Sequence, residues 1–197
     1  MKVAVIKYNA GNVQSVLYAL ERLGAEAELT DDVELIKKAD KVIFPGQGEA
    51  STAMRYLKER KLDLLIPELK QPFFGVCLGQ QLLCEHSEEN DTTCLGIFPV
   101  KVKRFVPENP EAFKVPHVGW NNLFALKSPL LKGLNEESFV YYVHSYYCEN
   151  SEYSIAQTNY VLDFAAMMHK DNFYTMQAHP EKSGKVGEQI LRNFLEL

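Results

Sequence analysis

The chain lacks the features by which membrane, secreted and nucleic-acid-binding proteins are recognised. No apolar run among its 197 residues approaches the roughly 20 residues needed to span a bilayer. The first apolar run is short and is broken by Lys7, so a signal peptide is not expected. There is no basic block and the net charge is −5, so the sequence lacks the positive charge with which proteins bind nucleic acid. We expect a cytoplasmic protein that handles small molecules or protein partners.

Cysteine and histidine patterns that would define further classes are also missing. The four cysteines are scattered, with no CxxC pair, so thiols are expected rather than a disulfide framework. No His or Cys pair has the spacing of zinc ligands, and we expect neither a metal nor a cofactor. What remains is an average globular composition, 46% hydrophobic and 24% charged. Its length predicts a single domain over residues 1–197.

Short apolar strands alternate with amphipathic helices through the first half of the chain. The predicted strands lie at residues 3–8, 26–29, 41–44 and 73–76. The predicted helices lie after Asn12, a candidate cap, and at residues 50–59 and 78–85. This alternation predicts βαβ units, and therefore a mostly parallel sheet with helices on both faces.

The second half changes to a succession of strands before one last helix. The predicted strands lie at residues 100–106, 139–148, 154–157, 164–168 and 173–176, and the helix follows Ser183. Some of these strands are expected to be antiparallel. The fold class predicted from both halves is α/β, a three-layer arrangement with a mixed, mostly parallel central sheet.

The most informative segment is FFGVCLGQQ, residues 73–81. A predicted strand runs into a predicted helix there, and Cys77 lies at the join between two glycines, which is the pattern of a nucleophile elbow. At the first turn of a helix, the dipole and the N–H groups favour the reactive thiolate. We expect Cys77 to be a nucleophile and the Leu78 N–H to bind a developing oxyanion. The alternative is an ordinary buried cysteine, which we expect for Cys84, two turns along the same predicted helix.

Among five histidines, only His179 has an orienting group in its own local sequence. Pro180 keeps His179 extended, and residues i and i+2 of an extended chain point to the same side. Glu181 can therefore reach one ring nitrogen and leave the other for Cys77. The segment follows a predicted strand, and in open α/β sheets the binding and catalytic sites lie at the ends of the strands. The alternatives are an incidental surface turn, and His144 as the base, although its aromatic neighbours favour a packed strand.

A glycine-rich loop, PGQG at residues 45–48, follows another predicted strand. Gly46 and Gly48 permit unusual backbone angles, so the N–H groups around Gln47 can face inward. Alone this pattern indicates only a turn. Beside a cysteine elbow it predicts a second oxyanion donor.

Together these segments resemble the triad-type, or class I, glutamine amidotransferases. The resemblance is carried by GVCLGQQ at 75–81, PGxG at 45–48 and HPEKS at 179–183, and it covers the chain from Tyr8 to the last helix. KVPHVGWN at 114–121 and VHSYY at 143–147 are similar, more narrowly, to the glutaminase subunits of imidazole glycerol phosphate synthases.

The resemblance implies a reaction and a partner. Cys77 would attack the side-chain amide of glutamine, and His179 would protonate the departing ammonia and then activate water. Ammonia would pass to a cyclase subunit, a (β/α)₈ barrel, in a heterodimer of histidine biosynthesis. Positions matching residues that hold glutamine are Gln81, Glu89, Ser145 and Tyr146. Positions matching the partner interface are Pro116, His117, Trp120, Asn121 and Lys182.

The chain departs from the family pattern at three places. Residues 7–12 read KYNAGN where DYGxGN is usual, Gln47 replaces a common valine, and Ala178 replaces a usual phenylalanine. None removes a catalytic group, but the long side chain of Gln47 is expected to bias a backbone flip of its loop. We expect that loop to be mis-set until the partner binds, with Trp120 as an interface aromatic or, alternatively, a core residue.

Three other interpretations remain at this point. One is a glutaminase serving a synthase of anthranilate, GMP or CTP, against which the string at 114–121 argues. Another is a cysteine peptidase or redox sensor on a similar fold, which would not need Gln81. The last is a catalytically silent scaffold, which the intact Cys77, His179 and Glu181 disfavour.

Overall fold

The structure is a computed structural model that describes residues 1–8 and 13–197. The α-helices of the described residues are α1 (Gln14–Arg22), α2 (Val33–Lys38), α3 (Ala50–Glu59), α4 (Leu62–Leu65), α5 (Leu78–Leu82) and α6 (Gly184–Glu196). The strands are β1 (Lys2–Ile6), β2 (Glu26–Thr30), β3 (Lys41–Phe44), β4 (Phe73–Val76), β5 (Cys84–Ser87), β6 (Thr92–Thr93), β7 (Phe98–Arg104), β8 (His117–Asn122), β9 (Phe139–His144), β10 (Tyr146–Cys148), β11 (Ser154–Tyr160), β12 (Leu162–Lys170) and β13 (Phe173–Met176). Among those residues, no helix has both the length and the apolar character that crossing a membrane requires.

A seven-stranded sheet in the order β11-β12-β13-β4-β3-β1-β2 forms the centre of the fold. The strands from β13 to β2 pair in parallel, whereas β12 is antiparallel to both of its neighbours. The βαβ alternation of the first half builds the parallel part, and the strand succession of the second half adds the antiparallel edge. The predicted mixed, mostly parallel sheet is confirmed.

Helices cover both faces of this sheet because successive residues of its strands are apolar on both sides. Phe74 of β4 stacks on Phe194 of α6, with ring centroids 5.1 Å apart. Its neighbour Phe73 belongs to the opposite apolar cluster, with Leu57 of α3 and Leu62 of α4. The two clusters on either side of the sheet give the predicted three layers.

Two smaller sheets lie outside the central one. A four-stranded sheet has the order β10-β7-β5-β6, and an antiparallel ribbon is formed by β8 and β9. In the ribbon, Val118 pairs with Val143 and Trp120 pairs with Tyr141. These side chains lie on one face, because alternate residues of a strand share a face.

Several predicted strands differ from the observed ones by a few residues at their ends, and two predicted elements were wrong in a larger way. The helix predicted at 78–85 ends at Leu82, and Cys84 lies in β5 rather than two turns along that helix. Pairing of β5 with β6 and β7 overrides the local helical pattern. The strand predicted over 139–148 is interrupted at Ser145, because β9 pairs with β8 whereas β10 pairs with β7 of another sheet.

Helices α2 and α4 and strands β6 and β8 were not predicted. Helix α2 carried a readable signal, since the side chain of Asp32 accepts hydrogen bonds from the N–H groups of Glu34 and Leu35 at 2.8 and 2.9 Å. The predicted cap at Asn12 and most of the 7–12 segment lie outside the described residues. Helix α1 begins at Gln14, close to the predicted position.

Candidate active site

Cys77 lies in a strained turn between the end of β4 and the start of α5. Its φ of 51° and ψ of −109° place it in a region that residues with side chains rarely adopt. The turn is held by its N–H, which donates to the carbonyl of Met176 on the neighbouring strand at 2.7 Å. A methyl group at Gly79 would lie 2.1 Å from the carbonyl oxygen of Phe44, so only glycine allows this approach. These contacts explain why the chain forms the predicted elbow.

His179 reaches the same edge of the sheet because β13 runs parallel to β4. Met176 pairs with Val76, so the chain leaves both strands side by side. His179 is extended, at φ −98° and ψ 98°, and its N–H donates to the carbonyl of Tyr141 at 2.9 Å. Its Nδ1 lies 2.8 Å from Oε1 of Glu181, with side chains only 2% and 3% exposed. The predicted contact of these side chains is present, although Pro180 and Glu181 lie in a 3-10 turn, Pro180–Lys182, rather than in an extended chain.

The charge state of His179 depends on its neighbours more than on its burial. Burial lowers its pKa, but the charge of Cys77, a hydrogen bond with that thiol and the contact with Glu181 together raise the pKa to about 10. Since Nδ1 is engaged by Glu181, the ring faces Cys77 with Nε2. The arrangement favours an imidazolium beside the sulfur of Cys77, and a histidine next to a cysteine is the pair that nucleophilic cysteine chemistry uses.

The loop at residues 45–48 packs directly against the elbow. A methyl group at Gly46 would lie 2.0 Å from the oxygen of Val76 and 2.2 Å from the nitrogen of Leu78. The loop is tied from behind by Tyr8, whose hydroxyl donates to the carbonyl of Pro45 at 2.6 Å. The N–H of Leu78 and the backbone of this loop therefore lie together beside the sulfur, as the oxyanion prediction requires.

A cavity of about 470 Å³ opens over these groups. It contains the candidate nucleophile and base, the oxyanion segment and the four residues predicted to hold glutamine. Its lining consists of Gly46, Gln47, Gly48, Cys77, Leu78, Gln81, Glu89, Pro116, Val143, His144, Ser145, Tyr146, His179 and Lys182. Besides Glu181, the sequence analysis proposed fifteen positions for catalysis, oxyanion binding, substrate binding and the partner interface. Most of them line this cavity, although they are distant in the chain.

Two of the predicted substrate residues are already engaged with the protein. The amide nitrogen of Gln81 donates to the carbonyl of Tyr146 at 3.0 Å. Glu89 accepts a hydrogen bond from the N–H of Ala50, the first residue of α3, at 2.8 Å. Burial raises the pKa of Glu89, although the Ala50 N–H opposes that shift. Ser145 separates β9 from β10, and this break turns it and Tyr146 into the cavity.

His144, the alternative base, has both ring nitrogens occupied away from Cys77. Its Nδ1 lies 2.7 Å from the carbonyl oxygen of Tyr146, and its Nε2 lies 3.0 Å from Nδ1 of His117. Burial lowers the pKa of His144 to about 3 and that of His117 to about 4. A neutral, doubly hydrogen-bonded ring fits a structural histidine, as its aromatic neighbours indicated.

The predicted partner residues divide by exposure. Trp120 is 55% exposed, which excludes the alternative of a core tryptophan. Pro116 and Lys182 line the cavity mouth, and the amide nitrogen of Asn121 donates to the carbonyl of Asn159 at 2.9 Å. His117 is buried beneath the surface, where its ring stacks on Tyr160 at a centroid distance of 3.9 Å.

The sequence analysis missed Val143 of the cavity lining and, more importantly, a residue that contacts the candidate nucleophile. Gln177 is fully buried, and its Nε2 lies 3.6 Å from the sulfur of Cys77. No local signal identified it, because residues 177 and 178 bend between the end of β13 and His179. Within the described residues, no group of three or more His, Cys, Asp or Glu side chains is arranged to hold a metal ion.

Comparisons with known proteins agree with this geometry. The family described as glutamine amidotransferase class-I matches residues 4–197. A protein of Bacteroides fragilis named imidazole glycerol phosphate synthase subunit HisH is 60% identical over 197 residues, with 100% of both chains covered. A protein of the same name from Idiomarina loihiensis is 43% identical, with 100% of this chain and 98% of that protein covered.

Solved structures share the fold at lower sequence identity. A crystal structure described as a glutamine amidotransferase superposes with a TM-score of 0.75 at 21% identity, covering 98% of this chain and 97% of that one. The structure of PurLQS from Thermotoga maritima gives a TM-score of 0.73 at 18% identity, covering 99% and 97%. With an elbow cysteine, an oriented histidine and a family match over nearly its full length, the chain belongs to the class-I glutamine amidotransferases.

Proposed function

We propose that residues 1–197 act as one domain, the glutaminase subunit of imidazole glycerol phosphate synthase in the cytoplasm. It hydrolyses glutamine to glutamate and ammonia and passes the ammonia to a cyclase subunit of histidine biosynthesis. The observation that carries the proposal is the meeting of Cys77, His179 and Glu181 under one cavity. The relatives named HisH, similar over the whole chain, support the choice among amidotransferases.

The reaction follows from the charges in the site. The sulfur of Cys77 attacks the side-chain carbonyl carbon of glutamine, and a tetrahedral intermediate forms. His179 gives its proton to the amide nitrogen, so that ammonia leaves and a thioester remains. The neutral ring then takes a proton from water, which attacks the thioester and releases glutamate. Glu181 fixes the tautomer and supports the imidazolium without transferring a proton.

The oxyanion of the tetrahedral intermediate requires donors beside the sulfur. The N–H of Leu78 supplies one, at the first turn of α5. The backbone around Gln47, held between Gly46 and Gly48, supplies the second when its N–H faces the cavity. One such donor is worth about 10² to 10³ in turnover. The loop therefore offers a place where the partner can control the rate.

Glutamine is bound by the polar part of the cavity wall. Glu89, with Gln81, Ser145 and Tyr146, surrounds the space above Cys77. A carboxylate at this position suits the α-ammonium of an amino acid. The side-chain amide of the substrate then points down to the sulfur.

The cyclase, a (β/α)₈ barrel, is proposed to dock on the exposed face of the β8–β9 ribbon. Val118, Trp120, Phe139 and Val143 are all exposed on that face. Val143 also lines the cavity. Because the apolar face is continuous with the cavity mouth, a barrel placed there would receive ammonia without its escape into water. Pro116 and Lys182 lie beside this surface at the cavity, and His117 and Asn121, on the opposite face of the ribbon, support it from below.

Gating by the partner belongs to the same proposal. Free ammonia is lost to solvent and idle hydrolysis wastes glutamine, so a loop that is mis-set in the isolated chain prevents both. Glutaminase rates are to be compared with and without the cyclase and its ligand. We expect a large increase in the complex, and equal rates would remove the gating claim.

The division of labour is tested by Cys77→Ala in the complex with the cyclase. We expect glutamine-dependent synthesis of imidazole glycerol phosphate to be abolished and ammonia-dependent synthesis to persist, since ammonia enters the cyclase without the thioester. Loss of both activities contradicts the proposal. Capture of a synthase of anthranilate, GMP or CTP instead of the cyclase would reassign the partner.

A further inference from the structure

Gln177 contacts the candidate nucleophile from the interior of the protein. Its Nε2 lies 3.6 Å from the sulfur of Cys77, within hydrogen-bond distance for a sulfur acceptor. Gln177 is fully buried, and it is not among the residues that line the cavity, whereas Cys77 is. The amide thus approaches the sulfur from the interior of the protein and leaves the cavity face of the sulfur for substrate.

The neighbouring Gln81 fixes which end of the Gln177 amide faces the sulfur. The Nε2 of Gln81 donates to the carbonyl of Tyr146 at 3.0 Å, and a carbonyl can only accept. The same nitrogen donates to Oε1 of Gln177 at 3.0 Å. A second donor, Nδ1 of His144, lies 2.7 Å from the Tyr146 oxygen and helps to hold it. With its oxygen held by Gln81, Gln177 presents its NH₂ group to Cys77.

The backbone makes this placement rigid. The N–H of Gln177 donates to the carbonyl of Ala166 at 2.8 Å, continuing the antiparallel pairing of β12 and β13 beyond Met176. The N–H of Cys77 donates to the carbonyl of Met176 at 2.7 Å. Donor and acceptor therefore leave adjacent, paired strands, and their separation is set by the sheet rather than by a loop.

We propose that the amide of Gln177 donates a hydrogen bond to the Cys77 thiolate, stabilising it and aiming it at the cavity, and that Gln81 positions this amide. The inference rests on the proposed function, in which Cys77 is the nucleophile. Hydrogen bonds to ionised acceptors are roughly twice as strong as neutral ones. In a buried site no water replaces a lost donor. His179 supplies the proton chemistry, and Gln177 supplies a fixed dipole that needs no proton transfer.

The test measures alkylation of Cys77 by iodoacetamide across a pH series in the full chain, without glutamine, following the Cys77 peptide by mass spectrometry. Gln177→Met removes the donor at similar volume. Gln80→Met is the matched control, because Gln80 is equally buried but donates to the carbonyl of Ala165 at 3.0 Å. We expect alkylation at neutral pH to fall about tenfold in Gln177→Met, as for loss of one hydrogen bond to a charged group. The pH of half-maximal alkylation should move upward, and Gln80→Met should match the unmodified chain.

Gln177→Glu tests whether Gln177 acts as a hydrogen-bond donor to the sulfur or only supports the structure. It keeps the shape and the oxygen that accepts from Gln81, but it places an acceptor against the sulfur. We expect slower alkylation than in Gln177→Met, and the difference between the two variants should narrow as the pH falls and the new carboxyl takes up a proton. In the complex with the cyclase, kcat for glutamine should fall more than KM rises.

Three outcomes decide between the two proposals. An unchanged pH profile in Gln177→Met, or faster alkylation in Gln177→Glu than in Gln177→Met, overturns the role of Gln177 while leaving the glutaminase intact. Should Gln177→Met fail to fold, Gln81→Met provides the second test, since it releases the Gln177 amide and should slow alkylation in the absence of substrate. If instead the unmodified complex does not hydrolyse glutamine, the proposed function itself is wrong.

Discussion

The two halves of the site are held in different ways. Cys77 and His179 leave the ends of β4 and β13, whose parallel pairing fixes Met176 against Val76. The loop at residues 45–48 and the β8–β9 ribbon lie outside the central sheet. The loop packs against the elbow, and the carbonyl of Tyr141 in β9 accepts a hydrogen bond from the N–H of His179. The reacting groups thus have the central sheet behind them, whereas the groups facing the proposed partner lie on a loop and on a separate two-stranded ribbon. A partner that shifts the second half can act on the triad through these few contacts while the central sheet holds the first.

The largest effect is expected in the sheet-anchored half. His179→Ala removes the only group that transfers a proton, and we expect glutaminase turnover to fall by about 10⁴ or more. Glu181→Gln keeps a hydrogen-bonding group at Nδ1 and loses only orientation and charge, so its loss should be roughly 10 to 100 times smaller. Single-turnover assays of the complex with the cyclase measure both. The reverse order would mean that the roles of these two residues are misassigned.

The next effect tests the boundary between the halves at Gly46. An added methyl group would lie 2.0 Å from the oxygen of Val76 and 2.2 Å from the nitrogen of Leu78. Gly46→Ala should push the loop off the elbow and misplace an oxyanion donor, lowering turnover by about 10² to 10³. Gly96→Ala is the control, since Gly96 has a positive φ of 69° but open space around it. Comparable losses in the two variants would show that a general loss of stability, and not the packing of the loop on the elbow, is the cause.

The partner-facing half is tested by Trp120→Ala. Trp120 is 55% exposed on the ribbon, so its removal should leave the free energy of unfolding of the isolated chain nearly unchanged. Affinity for the cyclase should fall about 30-fold, the size of a roughly 2 kcal/mol interface hot spot. Tyr18→Ala is the control, because Tyr18 is 54% exposed but lies on α1. Equal affinities of the two variants, measured by titration calorimetry, would place the partner elsewhere.

Much of the sheet-anchored half could be predicted because its signals are local. Strands β3 and β4 and helix α3 have the predicted bounds, and the i, i+2 relation of His179 and Glu181 was read from one proline.

The second half could not be predicted as well because its elements are defined by pairing across the molecule. The segment 84–87 continues a helical pattern but forms β5, since β7 offers it a partner. The break at Ser145 is invisible locally, because it arises where β9 and β10 join different sheets. The burial of His117 likewise depends on Tyr160, 43 positions later in the sequence.

The smallest effect concerns the buried side of the ribbon, where His117 and His144 lie in contact. Burial lowers their pKa values to about 4 and about 3, below the value near 6.5 of an unfolded histidine. Between the pKa values of the folded and the unfolded chain, the unfolded chain binds protons that the folded chain does not. The free energy of unfolding is therefore largest above about pH 6.5 and decreases as the pH drops. His144→Asn removes one such site. The loss of unfolding free energy between pH 7 and pH 5, measured by urea unfolding, should therefore become smaller by about 1 to 2 kcal/mol. His169→Gln, at a partly exposed histidine on β12, should leave the loss unchanged. An identical acid dependence in all three proteins would mean that the ribbon is held without its neutral histidine pair, which would remove the contrast between the two halves of the site.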